Sequence, residues 1–540
     1  MSESRRESAN IVIVGSGLAG SLMARYFSAL DGVVILDCGP GIPMADPGWW
    51  FHQVARGGGT SNAPYAAYYD QPDDFVATGE HPWNIVGGRI FGAGGTTLHW
   101  GGWVPRFMPE DFALYSNTGQ GIDWPFGYND LEPFYTQAEQ YLGASGNSDD
   151  QQPPRSRPYP YGAAPYPISA GPFIKAFEQL GIGYGHLPMA RYGKAQGEVG
   201  PCRTTGTCDY CPVGGRFTGD QPLALLSGNA HVSLRLDAVV TAIRMRSKQQ
   251  VAGVTYTDLK TGCSVELDAQ AVILCGGAFE IPKLLQTSRS SFWPNGIGND
   301  SDLVGRFVSA TQFFFASGIR ANPLTFEEEL GFPSLCSRAF DTPAYQRKGK
   351  FFISMNYETP NTDLGLLMAQ GQTAEQIRAA CSAPAAFQLY GNLSALPQHG
   401  NRVSATTGYT RFGLPRTLID TPMPLYDPAA AQGYVGILQH VLTKMGCQNV
   451  TWGTYPQRGD HVACTTRMAN DESAGVVSPE LQVFGVDNLF VVSNSVMPTL
   501  PAANPTLTLV ALAMRVMYGN TALARLTGNS SARVPAQVAL

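Results

Sequence analysis

The stretch Ile11-Val12-Ile13-Val14-Gly15-Ser16-Gly17-Leu18-Ala19-Gly20 decides how the chain reads. Four apolar residues in a row, Ile11 to Val14, have the pattern of a parallel strand buried on both faces. Gly15, Gly17 and Gly20 follow at the G-x-G-x-x-G spacing. At that spacing Gly15 makes the tight turn, Gly17 lets a pyrophosphate approach the backbone, and Gly20 lets the next helix pack on the strand. The phosphates of a dinucleotide would rest on the free N–H groups of that helix's N-terminus. A second apolar run, Val33 to Leu36, ends in Asp37, 22 positions after Gly15, where a carboxylate can hold a ribose hydroxyl. The expected unit is a Rossmann-type βαβ fold. An ordinary βαβ unit would share the glycines but has no need of the acid at that place.

A chain of 540 residues exceeds one ordinary core, so three or four interleaved domain-sized units are expected. The net charge of −6 and the lack of a Lys/Arg run leave no footprint for nucleic acid or an anionic membrane surface. No run of about 18 apolar residues predicts a transmembrane helix, and a small-molecule partner is expected. The 61 glycines and 39 prolines point to tight turns and long loops. Of the ten cysteines, seven are scattered singly, and the lack of an even disulfide framework favours a reducing site of folding. The polar start, with Arg5-Arg6, leads straight into the first strand rather than into an export signal, so folding in the cytoplasm is expected.

Outward from the fingerprint, Gly39 to Gly79 reads as long loops. Gly87 to Gly102, with Gly94-Gly95-Thr96-Thr97 and His99-Trp100, is too glycine-dense for a core element and suits close approach of backbone to a flat or phosphorylated ligand. Leu131 to Leu142 predicts a helix with Phe134, Ala138 and Leu142 on one face, and Phe173, Phe177 and Leu180 mark another. Short strands from Val232 to Leu274 predict a β-meander attached to the nucleotide domain, ending at Cys275-Gly276-Gly277-Ala278, where strand leads into helix. From Val308 to about Gly453, aromatic and β-branched segments alternate with loops, as in a mixed-sheet substrate domain. A last buried strand ends at Val492, and a helix starts near Thr506, just behind Asn504 and Pro505. The nucleotide domain is thus assigned to 1–150, 196–307 and 455–540, with a cysteine loop at 200–220, and the substrate domain to 151–195 and 308–454.

That loop carries Cys202, Cys208 and Cys211 within ten residues, followed by Pro212. With Gly206 between them, three sulfurs can turn toward one centre. A structural zinc wants four protein ligands and no fourth is near, whereas three thiolates fit a three-iron cluster. A Cys-x-x-Cys redox pair and plain loop thiols remain open readings.

With these pieces placed, the sequence resembles the glucose-methanol-choline (GMC) oxidoreductase family of FAD enzymes. Four stretches carry the resemblance: Gly15 to Gly20 with Asp37, Gly94 to Thr97, Cys275 to Ala278, and the block from His461 to Asn504. It implies an α/β fold, a Rossmann-type FAD-binding domain interleaved with a mixed-sheet substrate-binding domain. It also implies that the Val240 backbone holds the adenine and that Thr506, after Pro505, follows a turn touching the flavin ring. Ser493-Asn494 departs from the Asp that many members carry at the first position, where a ribityl contact is made. The family's catalytic pair is a histidine followed about 43 residues later by histidine or asparagine, and His461 and Asn504 stand 43 positions apart. The resemblance assigns the hydroxyl proton to His461, the substrate oxygen to Asn504 and the hydride to flavin N5.

Within that family the three cysteines make the chain similar to the large subunits of bacterial membrane-linked sugar dehydrogenases, which carry a 3Fe-4S cluster. One departure is that only Asp209 and Tyr210 separate the last two cysteines, where three residues are usual. The implied substrate is a sugar or glycoside, with the glucoside 3-hydroxyl named first. The implied partners are a cytochrome c or quinone-linked acceptor and a small signal-bearing subunit with which the folded chain would reach the periplasm. His99-Trp100 is also similar to the Thr-His-Trp segment of pyranose oxidases, where the histidine bonds covalently to the flavin. A ring stacked near the flavin is the plain alternative. Without a cluster the same chain reads as an oxidase using oxygen.

Overall fold

A computed structural model describes residues 5–525 apart from 45, 56–62, 81–82, 151–152, 192, 194–199, 322–333, 360–363 and 520. The apolar run of the fingerprint is the inner part of a longer strand, Arg5–Val14. Its polar beginning is a strand because Ser264–Leu274 runs beside it in parallel register, from Arg5 opposite Val265 to Val14 opposite Leu274. On the other side lies Val33–Leu36, also parallel. Burial on both faces explains why these strands read as unbroken apolar runs.

Ser264–Leu274 is the branching strand of a seven-stranded sheet. Its first half pairs antiparallel with Val251–Asp258, which pairs in turn with Ala238–Met245. Its second half pairs in parallel with Leu489–Val491, so the end of the chain returns to the first sheet. The expected meander is therefore present from Ala238 onward. Val232–Arg235 behaves differently, adding in parallel to the far edge beside Val33–Leu36. Asp237, at φ 54°, makes the reversal between those two strands, a left-handed position that no apolar pattern announces.

The second layer is a six-stranded sheet in the order Gln448–Thr454, Gln312–Arg320, Ala385–Leu393, Phe351–Thr359, Leu335–Phe340 and Gly185–His186, with antiparallel pairings. Helices Gly171–Leu180 and Pro428–Lys444 cover one face and close a core of Phe173, Phe177, Phe314, Phe387, Leu438 and Leu442. Each fully buried side chain of this size contributes about 1.5–3 kcal/mol. Gly391 sits mid-strand because the Phe351 ring lies across it, where a Cβ would come 2.1 Å from the ring. That ring stacks in turn on Tyr434 at 4.7 Å and 12°.

A third, small sheet is made of Arg402–Tyr409, Pro415–Thr421 and Phe75–Gly79. A buried ionic chain ties it to the first. The Arg89 guanidinium pairs with Asp70 at 2.6 Å and Glu280 at 3.0 Å, Glu280 with Lys283 at 2.9 Å, and Lys283 donates to Pro415 O and Thr417 Oγ1. Burial pushes the Glu280 carboxyl up, but Lys283 and Arg89 outweigh it and hold it below the usual range. Among the described residues no helix is long and apolar enough to cross a membrane.

Candidate functional site

One cavity of about 680 Å³ runs from the fingerprint to the closing block of the chain. At its nucleotide end Gly15 turns at φ 98°, and a Cβ there would meet Cys275 O at 2.9 Å. A Cβ on Gly20 would lie 1.9 Å from Gly15 O, so only glycine lets the helix Leu18–Tyr26 sit this close. Asp37 lines the cavity and also braces the turn, accepting from Ser16 N–H at 2.8 Å, Ser16 Oγ at 2.7 Å and Gly39 N–H at 2.9 Å. Burial pushes its carboxyl above the ordinary value against these hydrogen bonds.

Three helix N-termini reach this cavity. Leu18–Tyr26 begins behind Gly17, Gly277–Thr287 behind Gly276, and Thr506–Tyr518 behind Pro505, and none has a side-chain cap. Gly17, Gly276 and Thr506 all line the space. Uncapped N–H groups at three positive dipole ends suit an anionic ligand such as a pyrophosphate. Gly95 closes against Gly17, and its Cβ would come 3.0 Å from Gly17 Cα. Thr97 fixes that loop by donating to Gly94 O at 2.7 Å and accepting Gly219 N–H at 2.8 Å. Gly95, Thr96, Thr97, His99, Val240 and Asn494 line the cavity, whereas Gly20, Gly94 and Pro505 shape its walls from behind. The Oδ1 atoms of Asn494 and Asn504 and the Nδ1 of His99 are buried without a partner, as atoms awaiting a ligand would be. These features fit FAD.

At the other end His461 and Asn504 meet, although 43 positions separate them. Asn504 Nδ2 lies 3.0 Å from His461 Nε2, and Thr311 Oγ1 lies 2.6 Å from His461 Nδ1. Burial lowers the His461 pKa below the ordinary 6.5, with the Asp460 carboxylate opposing and the Arg458 guanidinium assisting, so the ring is neutral near pH 7. Phe313 stands 5.2 Å from it. Tyr390 and Tyr455, stacked 6.0 Å apart at 14°, form a wall with Arg458 and Asp460, which pair at 3.1 Å. Tyr65 and Tyr69 pack on His99 at 5.9 and 5.4 Å, and burial lowers the His99 pKa to about 4. Thr311, Phe313, Tyr390 and Tyr455 escaped the sequence reading because they lie where no motif exists. Only the run of aromatic residues beginning at Phe313 hinted at a wall.

The cysteine loop is the exception. Cys202, Cys208 and Cys211 are free thiols of intermediate exposure. Among the described residues no three His, Cys, Asp or Glu side chains are grouped to hold one metal ion, so the expected convergence of these sulfurs is not found. The two residues between the last cysteines give the reason. Asp209 O accepts from Tyr65 Oη at 2.8 Å and Arg216 Nη2 at 3.2 Å, and the buried Tyr210 accepts from Asp46 N–H at 3.0 Å. Both are tied to protein groups outside the loop's own turn. Cys211 Sγ accepts the Gly215 N–H at 3.2 Å. Arg191, bridged through its backbone to Arg216, is buried with no hydrogen-bond partner for its guanidinium among the described residues.

A turn that takes a dinucleotide, joined to a neutral histidine and an amide in one cavity, defines a flavin-type oxidoreductase of hydroxyl groups. The chain belongs to the GMC oxidoreductase family, matching it over residues 9–307 and 438–513. Members bind FAD and act on alcohol or sugar hydroxyls. The chain is 26% identical to the fructose dehydrogenase large subunit of Gluconobacter japonicus, across 94% of this chain and 97% of that one. It is 28% identical to 6'''-hydroxyparomomycin C oxidase of Streptomyces lividus, over 78% and 77%. Its fold is similar to that of pyridoxine 4-oxidase from Mesorbium loti, with TM-score 0.62 and 18% identity over 94% of this chain and 98% of that one.

Proposed function

We propose that this protein is an FAD-dependent oxidoreductase that converts a hydroxyl of a sugar or glycoside to a carbonyl. The observation that carries it is the His461–Asn504 pair facing the cavity onto which three uncapped helix ends open. When bound, the flavin supplies the acceptor for the hydride. His461 takes the hydroxyl proton on Nε2, and Asn504 holds the substrate oxygen so that its C–H points one way. The stacked Tyr390 and Tyr455 offer a flat apolar face to a sugar ring, and Asp460 and Arg458 offer polar partners for its hydroxyls. The names of the two relatives, one for fructose and one for 6'''-hydroxyparomomycin C, support this substrate class. Anaerobic mixing with a panel of sugars and glycosides should bleach the flavin absorbance, and product analysis should place the carbonyl, with the glucoside 3-position expected. No bleaching by any member removes the reading in favour of a flavin-binding relay protein.

The acceptor is the finer part of the proposal. Similarity along the full length to a dehydrogenase large subunit supports a dehydrogenase working with a further subunit and a cytochrome or quinone-linked acceptor. A 3Fe-4S cluster in the loop of Cys202, Cys208 and Cys211 rests on their sequence spacing alone, since these sulfurs are not grouped for one metal ion among the described residues. About three irons per flavin in anaerobically purified protein support this. No iron, with turnover on oxygen, makes the enzyme an oxidase and the three thiols a structural loop. A covalent flavin link through His99 is supported by its place in the cavity lining and by its Nδ1, which is buried without a partner among the described residues. Flavin fluorescence that stays with the denatured chain supports the link, and release of the flavin removes it.

A further inference from the structure

We infer that the Thr311 hydroxyl is the positioning group that keeps the proton of His461 on Nδ1 and so leaves Nε2 free to act as the base. The inference rests on the proposed role of His461 and adds a residue that the spacing of the closing block does not contain.

A neutral imidazole has one N–H and one lone pair, and which nitrogen holds the proton is set by what each faces. An amide Nδ2 can only donate, so its contact with Nε2 at 3.0 Å makes Nε2 the acceptor. The ring proton is then on Nδ1, where Thr311 Oγ1 accepts it at 2.6 Å. Thr311 is 1% exposed and stands just ahead of the strand Gln312–Arg320, outside the cavity lining, so it acts through His461 and not on the substrate.

The charged and titratable groups around His461 cannot do this work. Asp460 and Arg458 lie on its own segment and pair with each other. Their charges shift how readily the ring binds a proton without choosing the nitrogen. Across the cavity stand His99, Tyr69, Tyr390 and Tyr455. The packed neighbour on the ring's side, Phe313, offers no hydrogen bond.

The step balances without any change at Thr311. The substrate O–H breaks and its proton forms the Nε2–H bond, while the C–H pair leaves as hydride to the flavin and the C–O bond becomes C=O. The ring is then cationic with N–H on both nitrogens, and Nδ1–H keeps the same acceptor before and after. With that acceptor removed, only the Asn504 contact still favours the proton on Nδ1, the neutral Nδ1–H is left buried without its acceptor, and the protonated ring loses a partner.

The test uses the flavin-loaded enzyme with Thr311→Val, which keeps the shape and removes the hydroxyl, and Thr311→Ser, which keeps the hydroxyl. Thr311→Val should lower kcat roughly 10- to 100-fold with little change in KM. It should move the acid limb of kcat/KM to lower pH and raise the solvent deuterium isotope effect. Thr311→Ser should restore all three values toward the parent enzyme. Parent-like kcat and acid limb in Thr311→Val overturn the inference, as does equal loss in Val and Ser with an unmoved limb, which is the mark of packing alone. If Thr311→Val loses flavin, Thr311→Ala against Thr311→Ser reads the same hydroxyl in a pair that both lack the methyl. His461→Ala separates the two claims. Full turnover in that variant removes the base assignment, whereas its loss with unchanged Thr311→Val removes only the inference.

Discussion

A histidine earns a chemical role from its neighbours, and His461 has three that agree: a donor on Nε2, an acceptor on Nδ1 and a dry surrounding that keeps the ring neutral. Removing the imidazole in His461→Ala should lower kcat by about two to four powers of ten, with the flavin spectrum and content of the purified protein unchanged. Activity needs the neutral ring, so kcat/KM should rise with pH and level off once His461 is deprotonated. Because burial lowers its pKa, the midpoint of that rise should fall below 6.5, and Asp460→Asn should lower it further by removing the charge that favours protonation. A midpoint at or above 6.5 in the parent enzyme would contradict the description of His461 as a buried ring whose burial outweighs the Asp460 charge. His461 and Asn504 were legible as a pair because the closing block carries both at a known spacing. Thr311, 150 positions upstream, was not, since a threonine before an apolar strand has no local mark that sets it apart from any other.

At the scale of elements, two of the three uncapped helix ends, those behind Gly17 and Gly276, are the part of the site that the glycines build. Gly20 has no room for a Cβ, since Gly15 O lies 1.9 Å from where it would stand. Gly20→Ala must therefore push the helix Leu18–Tyr26 off the strand end and misplace the N–H groups behind Gly17. The expected outcome is loss of FAD in the purified protein, read as the ratio of flavin to protein absorbance, together with a lowered melting temperature. Full flavin content would show that the helix end is not where the phosphates bind. The first two strands were readable because Ile11 to Val14 and Val33 to Leu36 are unbroken apolar runs, each with a glycine at one end. The placement of Val232–Arg235 was not readable: its pattern is that of any short strand, and only its register beside Val33 to Leu36 shows which edge it takes. The cysteine loop misled for a related reason, since spacing reports how sulfurs could turn, whereas Tyr210 and Asp209 are tied elsewhere by partners far away in the chain.

Across the whole molecule, acid should be destabilising in a defined window. His99, with a pKa of about 4, and His461, also lowered, both bind a proton less readily folded than unfolded. Between the unfolded value of about 6.5 and the folded values, the unfolded chain holds more protons, so stability falls as pH falls through that range. His99 can add up to one proton to that slope, about 1.4 kcal/mol per pH unit. Urea unfolding at several pH values should show the trend, and His99→Phe should flatten it; an unaltered slope would remove the assignment. The ionic chain from Asp70 through Arg89 and Glu280 to Lys283 joins the helix Gly277–Thr287 to the small sheet that contains Pro415–Thr421. Arg89→Leu leaves two buried carboxylates short of a partner and should cost about 3–5 kcal/mol, measurable as a lower unfolding midpoint.

By itself the sequence determined the dinucleotide turn, the central strands, the family and the two residues, His461 and Asn504, that meet in the cavity. Each of these is encoded within a short span, where local sterics and burial on both faces leave one solution. Only the tertiary structure decided that Asp37 braces its own turn, that three helix ends share one cavity, that Thr311 reaches His461, and that the three thiols do not gather. Those are contacts between segments many residues apart, formed when apolar surfaces pack and carry their polar groups with them. Hydrophobic burial is not directional, so a linear pattern names what is buried without naming its neighbour.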